Sequence, residues 1–357
     1  MQRHRANAIA ICTVAAAALL LQGCAAPRVE MNYVVPATSR EASAMKRVAV
    51  LPFGSLRGTD VTGDVETMLA SIVINDQRYF EVVERQRLDA VSRELRLSRD
   101  VAAVDPASAS RLGKMVAASG IYMGRISRNE WSDQRFTESR QVCARYEQKR
   151  DKKGHVTNGA CQRWQNAQAH CVIRTANFEL APKLVSVESG TIVYSQSHVG
   201  QAKDKACSEP DGQGSQPLAD GSKLLIDAKM MALESFRQDV APSVRSRAIS
   251  MLDSTDRIGS PTAKERFKSA LSFAKEQRLD RACEIWQEIS ATESRSADLT
   301  FNLGVCAETA GHVDRALSLY TAADRLLDVP NKTVSEALVR ARKDSQDRAK
   351  VEAQMRR

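Results

Sequence analysis

The run Arg47-Val48-Ala49-Val50-Leu51-Pro52-Phe53 constrains this chain most. It is almost continuously apolar, as long as a strand, and stopped by proline. A strand with one wet face alternates polar and apolar residues, whereas one buried on both faces does not. The run therefore predicts a sheet covered on both sides, and its neighbours supply the cover. Thr62 offers an N-cap to a segment with Val65, Met68, Leu69, Ile72 and Val73 at helical spacing. Tyr79 to Glu84 reads as a short strand, and Leu88, Val91 and Leu95 mark one face of a helix. Leu112 to Val116 reads as another helix, and Ser119 to Ile126 as a further strand. A strand–helix–strand–helix–helix–strand order is that of an α/β layer.

The start of the chain bears on where that layer works. Ala8 to Leu21 is apolar except for Thr13, with Arg3 and Arg5 ahead of it and small residues behind. That is the pattern of a secretory signal, and the run falls short of the roughly 20 residues that span a bilayer. Leu21-Gln22-Gly23-Cys24 resembles the lipobox of bacterial lipoproteins. The resemblance implies that residues 1–23 are removed and that Cys24 carries acyl chains. Residues 24–45, with Pro27 and Pro36, read as a flexible lipidated tether. The net charge of +9 would raise nucleic acid as a partner in the cytoplasm. An exported protein instead meets lipid head groups and cell-wall polymers as its anions; a solvated surface with scattered arginines is the plainer reading of the charge, and no nucleic-acid partner is expected.

Export also decides how the cysteines read. Cys12 leaves with the signal, so Cys143, Cys161, Cys171, Cys207, Cys283 and Cys306 stand in an oxidising compartment as disulfide candidates. The four central thiols pair in three ways that sequence does not separate. Cys283 and Cys306 have two readings. They form a disulfide if small neighbours, Ala282 and Gly304, let facing helices approach; otherwise they are two buried thiols. Cys161, His170 and Cys171 match no zinc spacing, and no metal or cofactor is expected. No nucleophile elbow, phosphate loop or His-Glu-x-x-His occurs, so no catalytic residue is assigned and the chain does not read as an enzyme. Trp131 and Trp164 read as core residues, with contact residues as the alternative.

The C-terminal part repeats itself. Ala270, Phe273, Asp280, Arg281, Ala282 and Trp286 recur 34 residues later as Gly304, Ala307, Asp314, Arg315, Ala316 and Tyr320. The period and the small–aromatic pattern resemble tetratricopeptide repeats. Ala282, Trp286, Gly304, Ala316 and Tyr320 are then the packing residues between helices. Thr262 with Glu265 and Thr333 with Glu336 read as capping boxes.

Four stretches carry a second resemblance: Arg47 to Phe53, Tyr79 to Arg85, Gly120-Ile121-Tyr122-Met123-Gly124, and the pair Lys183–Gly190 and Thr191–Ser195 with its glycine turn. With the helix Lys223 to Val240 closing the domain, they look like the CsgG-like family of curli assembly and secretion lipoproteins. Glu130 to His170 departs from that pattern as a polar, basic insertion, and Cys171 to Leu180 alternates only loosely. The expected organisation is therefore signal 1–23, tether 24–45, a CsgG-like α/β (α+β) domain 46–240 with an insertion at 130–170, and linker 241–261. An all-α repeat domain, 262–328, and a capping helix, 329–357, follow. The resemblance implies a lipoprotein at the periplasmic face of a Gram-negative outer membrane, acting in curli-type assembly or export. In a curli-type pore, hairpins from each subunit build a membrane barrel. A protein partner on the repeats, the membrane through the lipid, and a homo-oligomer are the partners this implies. The alternative is an activator or scaffold of a peptidoglycan synthase, which an extended tether would favour.

Overall fold

The computed structural model describes residues 27–74, 76–94, 105–152, 154–208 and 217–356. The chain divides into two compact units, residues up to 36 with 243–353, and 37–242 with 354–357.

The second unit is built on β2 (Arg47–Val50). It pairs in parallel with β5 (Glu81–Val82) on one side and β6 (Gly120–Arg150) on the other. β6 continues antiparallel to β7 (Val156–Ser186), and β7 carries β8 (Ile192–Ser195) and β9 (His198–Cys207) on its far edge. Both faces are covered, as the apolar run requires. Val48 and Val50 pack with α2 (Thr62–Ser71) and α5 (Gly221–Val240). Ala49 and Leu51 pack on the opposite side with α3 (Arg85–Glu94) and α4 (Pro106–Val116). The short α1 (Arg40–Ala44) is capped by Ser39, and β3 (Val73–Ile74) pairs with β4 (Gln77–Arg78).

Two local readings are corrected. Thr62 is not the N-cap of α2; it lies in the first turn, where its hydroxyl accepts from the Phe53 backbone and donates to Asp60. The strand expected over Tyr79–Glu84 narrows to β5, because the parallel register with β2 extends over two residues only. The glycine turn holds: Gly190 sits at φ +68° between β7 and β8.

The larger correction concerns residues 130–170. They form no separate insertion but the outer part of a hairpin whose strands, β6 and β7, each run 31 residues. β9 supports β7 only from Cys171 to Leu180. From Thr137 to His170, among the described residues, no further strand pairs with β6 or β7, and they form an arm about 45 Å long at ~3.3 Å per residue.

In the first unit, β1 (Arg28–Val35) pairs residue for residue with β10 (Ser243–Ser250). The tether expected over 24–45 and the linker expected over 241–261 are both corrected by this ribbon. Its inner face buries Val29, Met31 and Ile249, and burial holds it in place. The helices follow as α6 (Pro261–Lys275), α7 (Leu279–Ser290), α8 (Ala297–Thr309), α9 (Val313–Arg325) and α10 (Lys332–Met355). α7 and α9 begin 34 residues apart, at the period of the sequence repeat. Ala282, Trp286, Gly304, Ala316 and Tyr320 all lie buried at the helix contacts. A Cβ on Gly304 would lie 2.5 Å from the Tyr320 ring, so glycine is what admits that ring. The caps fall elsewhere than expected. Ser260 caps α6 with Pro261 at its first position, and the Asn331 side chain accepts from the Val334 backbone at the start of α10.

Candidate interaction surfaces

The disulfides order the first candidate surface. Antiparallel register sets Cys171 directly opposite Cys207, joining β7 to β9 at the root of the arm with Cα atoms 4.0 Å apart. Cys143 and Cys161 join the arm's own strands further out, with Cα atoms 5.7 Å apart. The three residues weighed for zinc are thereby separated. Cys161 and Cys171 belong to different disulfides, and His170 is exposed beside the second. Glu138 stands near Cys171 and Cys207, but those sulfurs are bonded to each other and offer no thiolate.

At its root the arm is fastened by charge. Arg174 donates two hydrogen bonds to Asp133, at 2.7 and 2.8 Å, and its guanidinium lies 4.5 Å from the Trp131 ring centre. That contact holds the Asp133 carboxyl below the usual carboxylate range. Just beyond Thr137, Lys205 of β9 pairs with Glu138, Ser208 bonds the His170 backbone and Ala169 is buried beside the Cys171–Cys207 disulfide; further out, among the described residues, the side chains are mostly exposed. Trp131 and Trp164, expected in the core, are instead 45% and 62% exposed. Trp131 at least lies over Gly221, where a Cβ would meet its ring at 2.3 Å.

The second surface is a groove where β9 meets α5, a cavity of about 780 Å³ with Met230 and Met231 on its wall and Lys203 and Asp227 at its rim. β9 is seated on α5 through Gly200, where any Cβ would collide with the Ala228 carbonyl at 1.8 Å. His198 locks the seam. Its Nδ1 lies 2.9 Å from the Ser235 hydroxyl and its Nε2 2.6 Å from the Tyr194 hydroxyl, which donates to Asp239 at 2.9 Å. Burial pushes the His198 pKa down against the opposing pull of the Asp239 carboxylate. Burial and the same carboxylate push the Tyr194 hydroxyl up, so it stays protonated as a donor. None of these four residues was singled out in the sequence, since each partner comes from a different element or turn.

The third surface belongs to the helical unit. Asp298, Asn302 and Glu308 run along α8, and all three are taken by the chain itself. Asn302 Oδ1 accepts from the Leu252 N–H at 3.0 Å, and its Nδ2 donates to the Leu252 carbonyl at 2.8 Å. Asp298 accepts from the Ser254 N–H at 2.6 Å. Fully buried Glu308 receives Arg247 at 3.0 Å, Arg340 at 2.8 and 2.9 Å, and the Tyr320 hydroxyl. Arg247 also meets Asp344, closing a network in which each buried charge has a partner. Cys283 and Cys306 are disulfide-bonded between α7 and α8, with Cα atoms 5.8 Å apart. A polar cavity of about 540 Å³ beside the start of α9 is lined by His312, Asp314, Arg348 and Glu352. Cys24 lies outside the described residues.

A family model described as "Curli production assembly/transport component CsgG" matches residues 16–209. No curated protein matches the sequence. Among solved structures, the chain is similar to the LpoB C-terminal domain from Salmonella enterica at 16% identity, over 44% of this chain and 82% of that one, with a TM-score of 0.26. It is similar to lipoprotein GNA1162 from Neisseria meningitidis at 11% identity, over 54% and 96%, with a TM-score of 0.27. A PelC dodecamer from Paraburkholderia phytofirmans matches at 10% identity, over 60% and 99%, with a TM-score of 0.25.

Proposed function

The chain belongs to the CsgG family of curli production assembly/transport components, and on that premise we propose that it is a lipid-anchored assembly protein of a curli-type export system. It works at the periplasmic face of the outer membrane, through protein–protein contacts. The observation that supports this reading is the family match, which begins ahead of Cys24 and runs through β6, the arm and β9. Cys24 is the residue we assign to the anchor. Among the described residues, no helix is long and apolar enough to cross a membrane.

The partner contact of the helical unit needs a site that the chain has not already filled. Leu252, Ser254 and Arg247 occupy the polar stripe of α8, so we assign the contact to the polar cavity lined by His312, Asp314, Arg348 and Glu352. The second reading, an activator or scaffold of a peptidoglycan synthase, would be favoured by a long tether, and only three residues separate Cys24 from β1.

Metabolic labelling with an alkynyl palmitate, followed by membrane fractionation, tests the anchor. The wild type should carry the label and stay with outer membranes, while Cys24→Ser should lose the label and become soluble. A Cys24→Ser chain that stays on membranes through a high-salt wash would sink the proposal. Light scattering in detergent then reads the assembly: several copies per particle support export, and a monomer removes the pore from the proposal.

A further inference from the structure

We propose that the outer edge of β9 takes up an extended segment of a partner protein as an added strand, one in which apolar side chains alternate with polar and acidic ones. The site lies in a different unit from the cavity assigned above, and it stands whether or not the anchor and export readings hold.

Register is the first observation. β7 and β9 pair without a bulge from Cys171 and Cys207 to Leu180 and His198. One step beyond, Ser208 donates its N–H to the His170 carbonyl directly opposite, at 2.9 Å. Along an antiparallel ladder, hydrogen-bonded pairs alternate with pairs whose backbone groups point away. Ser208 is of the first kind and Cys207 of the second. Stepping by twos from Cys207, the residues Lys205, Lys203, Gln201 and Val199 also turn their N–H and C=O groups outward. Among the described residues, no strand pairs with that side. The result is a free ladder roughly 20 Å long at ~3.4 Å per residue. Exposed edges are commonly blunted by proline, a bulge, a covering element or lysines. β9 has neither proline nor bulge, and Lys205 is drawn away to Glu138 of β6.

The groove beside that edge is the second observation. Its 780 Å³ is the size of a ligand cleft, and Leu224, Met230 and Met231 line it. Met230 and Met231 are 57% and 52% exposed, a flexible apolar floor that adapts to what lies on it. Side chains of an added strand point alternately to its two faces. Gly200 and Ala202 face α5, so the residues opposite them would point to the methionine floor. Lys203 is one residue on and stands on the other face. No carboxylate pairs with it among the described residues, and an acidic residue directly opposite would. One strand thus meets the free ladder with its backbone, the floor with one face and the lysine with the other.

A second copy of β9 fits this edge less well. The side chains it would turn towards the floor are already seated on its own α5, Gly200 against Ala228 and His198 on Ser235. Antiparallel pairing centred on Lys203 would also set two lysines opposite each other, and like charges there are destabilising.

Fluorescence anisotropy with the full chain in detergent tests the proposal. The probe is a fluorescein-labelled heptapeptide, Val-Thr-Val-Glu-Val-Thr-Val, with a scrambled form that breaks the alternation as its control. The alternating peptide should bind saturably and the scrambled one about tenfold more weakly, since main-chain bonds give affinity and alternate side chains give specificity. Two further peptides are methylated on backbone nitrogens and leave the protein untouched. Residues opposite Lys203 and Gln201 form hydrogen-bonded pairs, so methylating the threonine and glutamate nitrogens should abolish binding. Methylating the valine nitrogens should leave it within about threefold, because those point away from β9. Lys203→Glu should weaken the glutamate peptide several-fold and strengthen one with lysine in its place. Equal binding of the alternating and scrambled peptides, or binding that survives methylation of the threonine and glutamate nitrogens, would overturn the proposal. So would the absence of saturable binding up to millimolar peptide.

Discussion

Asn302 holds Leu252 by both of its backbone polar groups, accepting from the N–H at 3.0 Å and donating to the carbonyl at 2.8 Å. One fully buried amide thus does for an irregular segment what a neighbouring strand does for a sheet. The segment after β10 can then lie against α8 without leaving backbone groups unpaired, which would be costly away from water.

Asn302→Ala should therefore cost more than a surface change. Two backbone groups lose their partners at about 1–2 kcal/mol each, for a loss of roughly 3 kcal/mol. Asn302→Asp keeps the acceptor and removes the donor, so it should also destabilise. Urea unfolding followed by tryptophan fluorescence measures both, and a loss below about 1 kcal/mol for the alanine variant would contradict the clamp.

Asp298 gives the same region a pH dependence. Burial pushes its carboxyl up to about 6, against the Ser254 N–H that favours the charged form, with Asp253 and Asp256 pushing it further up. The ordinary value is 3.8, so the folded protein holds this proton more tightly than the unfolded chain. The contribution is fully present below pH ~4 and is lost as pH rises through about 6. Asp298→Asn should equal the wild type at low pH and exceed it by about 1 kcal/mol at pH 7, after allowance for partial exposure. Parallel thermal-melting profiles from pH 4 to pH 7 would refute the assignment.

Gly200→Ala should be poorly tolerated. Its Cβ would collide with the Ala228 carbonyl, which is backbone inside α5 and has no rotamer to retreat to. Overpacking of this kind costs ~1–3 kcal/mol or more, because β9 must lift from α5. Hydrogen exchange should show the loss of protection concentrated in β9; uniform loss, or none, would show that the close approach is dispensable.

Removing the Cys283–Cys306 bond should weaken the helical unit. The two cysteines are 23 residues apart, and closing a loop of that size stabilises by ~3 kcal/mol in the chain-entropy model. A Cys283→Ser with Cys306→Ser variant should unfold earlier in urea than the oxidised wild type. If the variant were as stable as the oxidised wild type, the helix contacts alone would be sufficient.

Much of the fold was legible because burial imposes a pattern on sequence. Val48 to Leu51 lacks alternation because both faces of β2 are covered, and the 34-residue period follows from each helix pair burying the same positions. Ala282 recurs as Ala316, and Trp286 as Tyr320. The arm shows the opposite limit. Its outer strands are wet on both faces, so no apolar face exists to alternate with a polar one, and 31-residue strands read as a polar insertion. In β1, Val29, Met31 and Tyr33 alternate with Glu30 and Asn32 as in a strand with one buried face, while its pairing with β10 depends on residues more than 200 positions away.

What the sequence determined by itself was therefore whatever depends on local spacing: the sheet covered on both faces, the helices and the repeat. Tertiary structure alone decided the pairings. Six thiols allow many combinations, and the register of β7 with β9 brings Cys171 to Cys207 while the arm brings Cys143 to Cys161. Nothing around Asn302 marks it as different from any helical asparagine, and its partner lies 50 residues away. A polar side chain in the interior gains its role from the group that folding brings to it, and that group's position is a property of the whole chain rather than of its neighbours in sequence.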